Sequence, residues 1–344
     1  MMNDIKLTQY SHGAGCGCKI SPSVLSCILK GGQEVPSDRK LLVGNDTRDD
    51  AAVYDLGNGE ALISTTDFFM PIVDDAFTFG KIAAANAISD VYAMGGRPVL
   101  AIAILGWPID KIPAEVASMV IEGGRETCKQ AGIALAGGHS IDSPEPIFGL
   151  AVNGLVSTVN LKRNNTAKTG SSLYLTKPLG VGILSTAQKR GVIAKVDVKN
   201  MIDNMTQLNS IGETLGKLPF VNSMTDVTGF SLIGHLHEMC QGSNVSAEIE
   251  YNALPILPNI SKYISEGCIP GGCKRNMQTY SEKVELSDPN FAPLLYDPQT
   301  SGGLLISVDK GSETEMENIL SNSNLHHLKI GTLNKKTNIC IRVS

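Results

Sequence analysis

Three groups of residues in this sequence have types and spacings that can do chemistry. The first is the leader His12-Gly13-Ala14-Gly15-Cys16-Gly17-Cys18-Lys19. Its alternating glycines free the backbone to curl, so that successive amides converge on an anion. A cysteine and a lysine three residues apart can then meet one substrate, the lysine lowering a thiol pKa and neutralising phosphate charge. A glycine-rich tail with two incidental thiols is the competing reading, because the run lacks the strand frame and the terminal Lys-Ser or Lys-Thr of a phosphate loop.

The second group is a set of carboxylates in turn-like or helical contexts: Asp46, Asp49 and Asp50 within residues 44–50, Asp67 and Asp226 after extended segments, and Asp90. Asp90 lies one turn beyond Asn86, on the same helical face. Hard oxygen ligands spread over several elements suit Mg²⁺, which takes one or two carboxylates per ion and fills its shell with water and phosphate. A simple turn is the plainer role for Asp46, and an N-cap for a helix opening near Thr228 or Phe230 competes for Asp226. Arg48 can pair with a neighbouring aspartate or with phosphate.

The third group is Ala136-Gly137-Gly138-His139-Ser140, directly after an apolar strand. Its glycines can bring backbone amides to a phosphate, with the Ser140 hydroxyl and His139 as added donors. A tight turn with a surface histidine is the plainer reading of the motif alone, as a turn into a strand is for Asp297 to Gly303. There is no Ser/His/Asp spacing and no Gly-x-Gly-x-x-Gly after a strand. Chemistry alone points to a Mg²⁺-nucleotide enzyme with a thiol on a mobile loop.

Those residues need elements to hold them. A short helix over Ser21 to Leu29 should follow the leader, opened by Ser21-Pro22. Strands are predicted at Leu41–Val43, Ala51–Asp55 and Ala61–Ser64, with Gly57-Asn58-Gly59 turning between the last two. Phe77 to Met94 reads as a helix stopped by Gly95-Gly96, followed by a strand over Pro98–Leu105. A helix over Ile112 to Ala131, weakened by Gly123-Gly124, precedes strands at Ile133–Ala136 and Ile147–Val156. Polar residues from Leu161 to Gly170 mark a linker. Beyond it come strands at Leu173–Thr176, Val245–Ile249, Leu304–Val308, Lys329–Leu333 and Ile339–Val343. Helices are predicted over Gly182–Arg190, Val198–Leu215 and Phe230–Cys240. The expected organisation is two α+β domains, 41–160 and 170–344, behind a flexible 1–40 leader.

Composition bounds the rest. At 344 residues and 42% hydrophobic, the chain has ample material for packed cores. A net charge of −5 argues against a sequence-independent nucleic-acid binder. The polar opening MMNDIKLTQYSHG lacks a secretory signal, and Val99 to Leu105 is too short for a membrane span, so a cytoplasmic location is expected. The 8 cysteines then read as free thiols, mostly buried, rather than as a disulfide framework.

Taken together, Thr8–Lys19, Val43–Val53, Ser64–Pro71, Ala136–Ser140 and Thr225–Phe230 resemble the bacterial selenophosphate synthetase (selenide, water dikinase) family. The likeness is collinear from about residue 6 onward, and the Gly-Cys-Gly-Cys-Lys leader is its most specific part. The resemblance implies a fold like aminoimidazole ribonucleotide synthetase, with N-terminal domains pairing into a β-barrel in a homodimer. It implies conversion of ATP, selenide and water into selenophosphate, AMP and phosphate, with Mg²⁺ required and a monovalent cation such as K⁺ assisting. A selenium-delivery protein is a possible further partner. By motif matching, Cys16 and Lys19 fall at the essential catalytic positions. Asp50, Asp90 and Asp226 fall at Mg²⁺ positions. Lys19, Thr47, Arg48, Asp49, Asp67 and Asp90 fall at nucleotide contacts, and Gly138, His139 and Ser140 at contacts made across the dimer. One departure is Ser231, where family members often carry glycine.

Overall fold

The computed structural model describes residues 5–20, 22–29, 38–44 and 49–344. Two sheets organise them. The first is built from β1 (Leu41–Val43), β2 (Ala52–Asp55), β3 (Glu60–Phe69), β4 (Arg97–Trp107), β5 (Ala134–Asp142) and β6 (Ile147–Ser157), in the order β1-β2-β3-β6-β4-β5. All its pairs are antiparallel except β4 with β5.

The second sheet holds β7 (Ser172–Leu175), β8 (Val221–Asp226), β9 (Val245–Ile249), β10 (Val284–Leu286), β11 (Leu304–Val308), β12 (Gly331–Lys335) and β13 (Ile341–Val343). Their order is β10-β13-β9-β12-β7-β11-β8, with β13 parallel to both neighbours. The helices are α1 (Pro22–Leu29), α2 (Ala76–Ala93), α3 (Ala114–Gln130), α4 (Val181–Lys189), α5 (Lys195–Thr206), α6 (Ile211–Gly216) and α7 (Ser231–Ser243). After them come α8 (Ile260–Ser265), α9 (Gly271–Tyr280), α10 (Ala292–Leu295) and α11 (Glu313–Asn322). No helix among the described residues is long and apolar enough to cross a membrane.

Helix α2 is the hinge of the site. It is buried on nearly every side, packed on β3 and β6, against α3, and against α5 and β8 of the second half. The close α2–α3 approach explains glycines that by helix propensity alone would weaken α3. A Cβ on Gly80 would sit 1.9 Å from Val120 O, and one on Gly123 would sit 2.0 Å from Phe77 O. Side chains there would push the helices apart, so packing outweighs lost helix propensity. Phe79 fills the layer beneath, its ring centroid 6.1 Å from Phe69 and 6.3 Å from Phe148.

Several elements differ from expectation. The single helix predicted over Val198–Leu215 is two, α5 and α6, separated by Gln207 to Ser210. Strand β3 runs on past Ser64 to Phe69, because its residues pair continuously with β6. Strand β5 continues through Gly137-Gly138-His139-Ser140, which the simpler reading placed in a turn. A Cβ on Gly138 would lie 2.2 Å from Ala103 O, so only glycine lets β5 pair with β4 at that point. The polar stretch after β6 is packed in part, with Lys162, Asn164 and Ala167 buried. Lys162 is buried, its ammonium donating to Leu218 O at 3.0 Å and Val221 O at 2.7 Å.

Candidate metal and nucleotide site

Three carboxylates from three elements converge. Asp50 precedes β2, Asp90 sits on the last turn of α2, and Asp226 ends β8. One oxygen of each lies within 4.8 Å of the others. Strand pairing fixes Asp226, which is opposite Leu304 of β11, and the α2 core fixes Asp90. The surrounding donors are few. Thr225 Oγ1 donates to Asp50 Oδ1 at 2.8 Å, and Thr65 Oγ1 donates to Asp90 Oδ2. Buried oxygens Asp50 Oδ2 and Asp226 Oδ2 have no hydrogen-bond partner.

Like charges crowded out of water resist ionisation. Burial, then Asp226, Asp90 and Asp49, push Asp50 well above the usual carboxylate range. Burial, Asp226 and Asp67 do the same to Asp90. Asp226 rises to about 6, through burial opposed by the Ser89 hydroxyl and Lys19. A cluster of orphaned oxygens and mutually repelling charges is what a hard divalent cation satisfies, and the donor set, all oxygen, fits Mg²⁺. The capping alternative for Asp226 fails: α7 is capped by Phe230 with no side-chain bond.

The leader lies against this cluster. Gly15 N–H donates to Met70 O at 3.0 Å, and Cys16 N–H donates to Thr300 Oγ1 at 3.0 Å. Arg275 of α9 donates to Gly17 O, and His12 Nδ1 is 3.0 Å from the Glu145 carboxylate. Cys16 is buried, its thiol donating to Asn86 Oδ1 at 3.2 Å. Asn86 passes the contact on, donating from Nδ2 to Asp67 Oδ2 at 2.9 Å and accepting Ser301 N–H at 2.8 Å. Lys19 Nζ donates to the same Asp67 oxygen at 2.9 Å. Burial and the Asp67 charge push the Cys16 thiol up, with Lys19 opposing. Burial opposes the Lys19 charge, but Asp67 and Cys16 outweigh it and hold the ammonium well above its ordinary range.

The chain matches two family descriptions, "AIR synthase related protein, N-terminal domain" over residues 48–156 and "AIR synthase related protein, C-terminal domain" over residues 168–344. A curated relative from Aeromonas hydrophila subsp. hydrophila, named selenide, water dikinase, is 58% identical over 338 residues, covering 98% of this chain and 97% of the relative. The chain belongs to the selenide, water dikinase family.

Solved structures carry the family fold beyond close relatives. Thiamine-monophosphate kinase from Stenotrophomonas maltophilia superposes with a TM-score of 0.66 at 20% identity, over 90% of this chain and 92% of that one. AaThiL complexed with AMPPCP and TMP gives 0.66 at 17% identity, over 93% and 91%. At these identities the likeness is one of fold, and the two α+β units that the sequence suggested are those of the AIR synthase fold.

Other positions of the selenide, water dikinase motif fall apart in space. Asp49 accepts Asn164 N–H at 2.6 Å, beside Asp50. Thr47 and Arg48 lie outside the described residues, as does Asp46. Gly138, His139 and Ser140 sit on the exposed edge strand β5, by a groove of about 260 Å³ that Leu105, Ile121 and Arg125 also line. They do not reach the carboxylate cluster of their own chain.

Sequence reading missed Thr65, Thr225 and Thr300, which hold Asp90, Asp50 and the Cys16 amide. Thr65 and Thr225 each stand beside or near a singled-out aspartate, which was the available signal. Nothing local marks Thr300. His235, on α7, is buried with Nε2 3.3 Å from Thr228 Oγ1 and its ring stacked on Phe230. Burial lowers it to about 3.

Proposed function

We propose that the chain makes selenophosphate, converting ATP, selenide and water to selenophosphate, AMP and phosphate. The observation that carries this is the docking of the Cys16–Lys19 leader beside three converging carboxylates, in a chain 58% identical to a named selenide, water dikinase. AMPPCP in the AaThiL complex supports nucleotide binding on this fold.

In this reading Asp50, Asp90 and Asp226 hold Mg²⁺, and Asp67 with Asn86 orders the leader above it. Bound there, Mg²⁺ would neutralise triphosphate charge and align it for transfer. Asp49, Thr47 and Arg48 join Lys19, Asp67 and Asp90 as nucleotide contacts. Lys19 stabilises the transferring γ-phosphoryl group from the docked leader. Cys16 handles selenium as a carrier or positioning thiolate. In the docked state burial keeps its proton on, so lifting the leader exposes the sulfur and lets Lys19 favour the thiolate. Re-docking then excludes water and oxygen from an easily oxidised anion. Water attacks the β-phosphate of ADP in the second half of the reaction.

The homodimer is part of the same reading. Leu100, Ile102 and Ile141 on β4 and β5, with Phe68 on β3, expose one apolar sheet face, while Ala101 and Ala103 turn to the core. Pairing of that face with a second copy would cover it and bring Gly138, His139 and Ser140 to the partner's nucleotide. The monovalent cation and a selenium-delivery protein rest on the family resemblance alone.

Phosphorus NMR of ATP turnover under strict anaerobiosis tests the reaction. Selenide should elicit selenophosphate, AMP and phosphate together. ADP as the sole nucleotide product, indifferent to selenide, would place the chain with single-phosphoryl kinases of the same fold.

A further inference from the structure

One loop of the second half of the chain grips Cys16 at both ends. Residues 297–303 run from α10 to β11. Thr300 Oγ1 accepts the Cys16 N–H at 3.0 Å. The next residue, Ser301, donates its N–H at 2.8 Å to Asn86 Oδ1, the same oxygen that accepts the Cys16 thiol at 3.2 Å. Backbone and side chain of the cysteine are thus both set by two consecutive residues. The fit is close on the leader side as well: a Cβ on Gly15 would meet Thr300 Oγ1 at 2.4 Å and Ile72 Cδ1 at 2.6 Å.

The loop is held from behind. Thr300 and Ser301 are buried, and so is Lys177, two residues beyond β7. An ammonium taken out of water must be hydrogen-bonded. Here Lys177 Nζ donates to Ser301 O at 2.9 Å and to Gln207 O at 2.6 Å, so it braces the loop. Asn209 Nδ2 donates to Gly302 O at 2.8 Å, and Val227 N–H donates to Gly303 O at 2.9 Å. Ser301 has a φ of 51°, a left-handed backbone that serine rarely adopts and keeps only where its neighbours over-determine it.

We propose that residues 297–303 are a preformed seat for the leader, and that Thr300 is a positioning residue that fixes Cys16 for the chemistry of the site. A leader that lifts and returns then finds the same thiol direction each time, because the seat does not move with it. The consequence for turnover rests on the selenide reading above; the docking itself does not.

The test is alkylation of native, full-length, reduced protein by iodoacetamide, followed residue by residue by mass spectrometry. Cys16 is buried when docked, so its rate follows the lifted fraction of the leader. Cys128 on α3 and Cys240 on α7, also buried, report opening of the fold as a whole. Thr300→Val leaves the Cys16 amide without its acceptor and should raise the Cys16 rate about tenfold, with Cys128 and Cys240 unchanged. Thr300→Ser, which restores the hydroxyl, should return it to within about twofold of wild type. With selenide and Mg-ATP, Thr300→Val should lower AMP formation about tenfold while ATP affinity by calorimetry stays within about twofold, and Thr300→Ser should restore the rate.

A Cys16 rate that is unchanged in Thr300→Val, that rises no more than those of Cys128 and Cys240, or that rises equally in Thr300→Ser would overturn the assignment. Should Thr300→Val not fold, Gly15→Ala puts the question from the leader side: Cys16 alone should gain reactivity, and no gain would mean that the leader is not seated on Thr300. Alkylation needs neither substrate, so wild-type protein that makes no selenophosphate would sink the functional reading and leave the seat standing.

Discussion

Lys19 and Asp67 form an ion pair of 2.9 Å that joins the leader to the middle of the first sheet. Asp67 is the buried partner and Lys19 remains about a third exposed, so water screens the pair and its net worth is about 1 kcal/mol or less. A contact that weak can be broken and remade in each turnover. Asp67→Asn should raise the undocked fraction of the leader about fivefold. Limited proteolysis between residues 13 and 19 reads this directly, and an unchanged cleavage rate would mean the other contacts alone hold the leader.

Cys16→Ser keeps a hydroxyl donor for Asn86 and a side chain of similar size. Selenide-dependent AMP formation should fall about a thousandfold or more, while Mg-ATP binding measured by calorimetry stays within about twofold. Loss of ATP binding would contradict a role confined to selenium.

The carboxylate cluster makes stability depend on pH and metal together. Asp226 is raised from 3.8 to about 6, which corresponds to about 3 kcal/mol. A raised carboxylate contributes stability that is present below its unfolded pKa and lost as pH rises through the folded one. Metal-free protein should therefore lose this contribution between about pH 4 and pH 6. Mg²⁺ favours the ionised form, so the rise in Tm it produces should be larger at pH 7.5 than at pH 5. Equal shifts at both values, by calorimetry, would dissociate Mg²⁺ from Asp226.

Ser231 opens α7 at a φ of 69°, a left-handed conformation that suits glycine. Its hydroxyl is buried without a partner. Ser231→Gly should stabilise the protein by about 1 kcal/mol, read as a higher urea midpoint at constant slope. A lower midpoint would mean that the serine makes a contribution the geometry does not contain.

What the sequence disclosed, and what it hid, divides by range. Asp90 one turn beyond Asn86 was legible, because helical periodicity is local, and both side chains do face the site. Gly57-Asn58-Gly59 marked its hairpin for the same reason. The meeting of Asp50, Asp90 and Asp226 was not legible from spacing, since it depends on β8 lying beside β11 and on α2 packing against β8. Only the family resemblance pointed to it. Gly138 misled in the other direction: a glycine pair reads as a turn, whereas here it permits two strands to pair closely. Gly123 misled likewise, because the tight α2–α3 contact lies outside any sequence window.

The central claim is that Asp50, Asp90 and Asp226 hold divalent cations for one triphosphate beneath the leader. Anomalous diffraction from crystals grown with Mn²⁺ and a non-hydrolysable ATP analogue tests it most directly. The account predicts a manganese peak in contact with oxygens of all three aspartates and of the triphosphate, with Lys19 over the γ-phosphate. Density for the nucleotide elsewhere, with no cation among the three carboxylates, would contradict it.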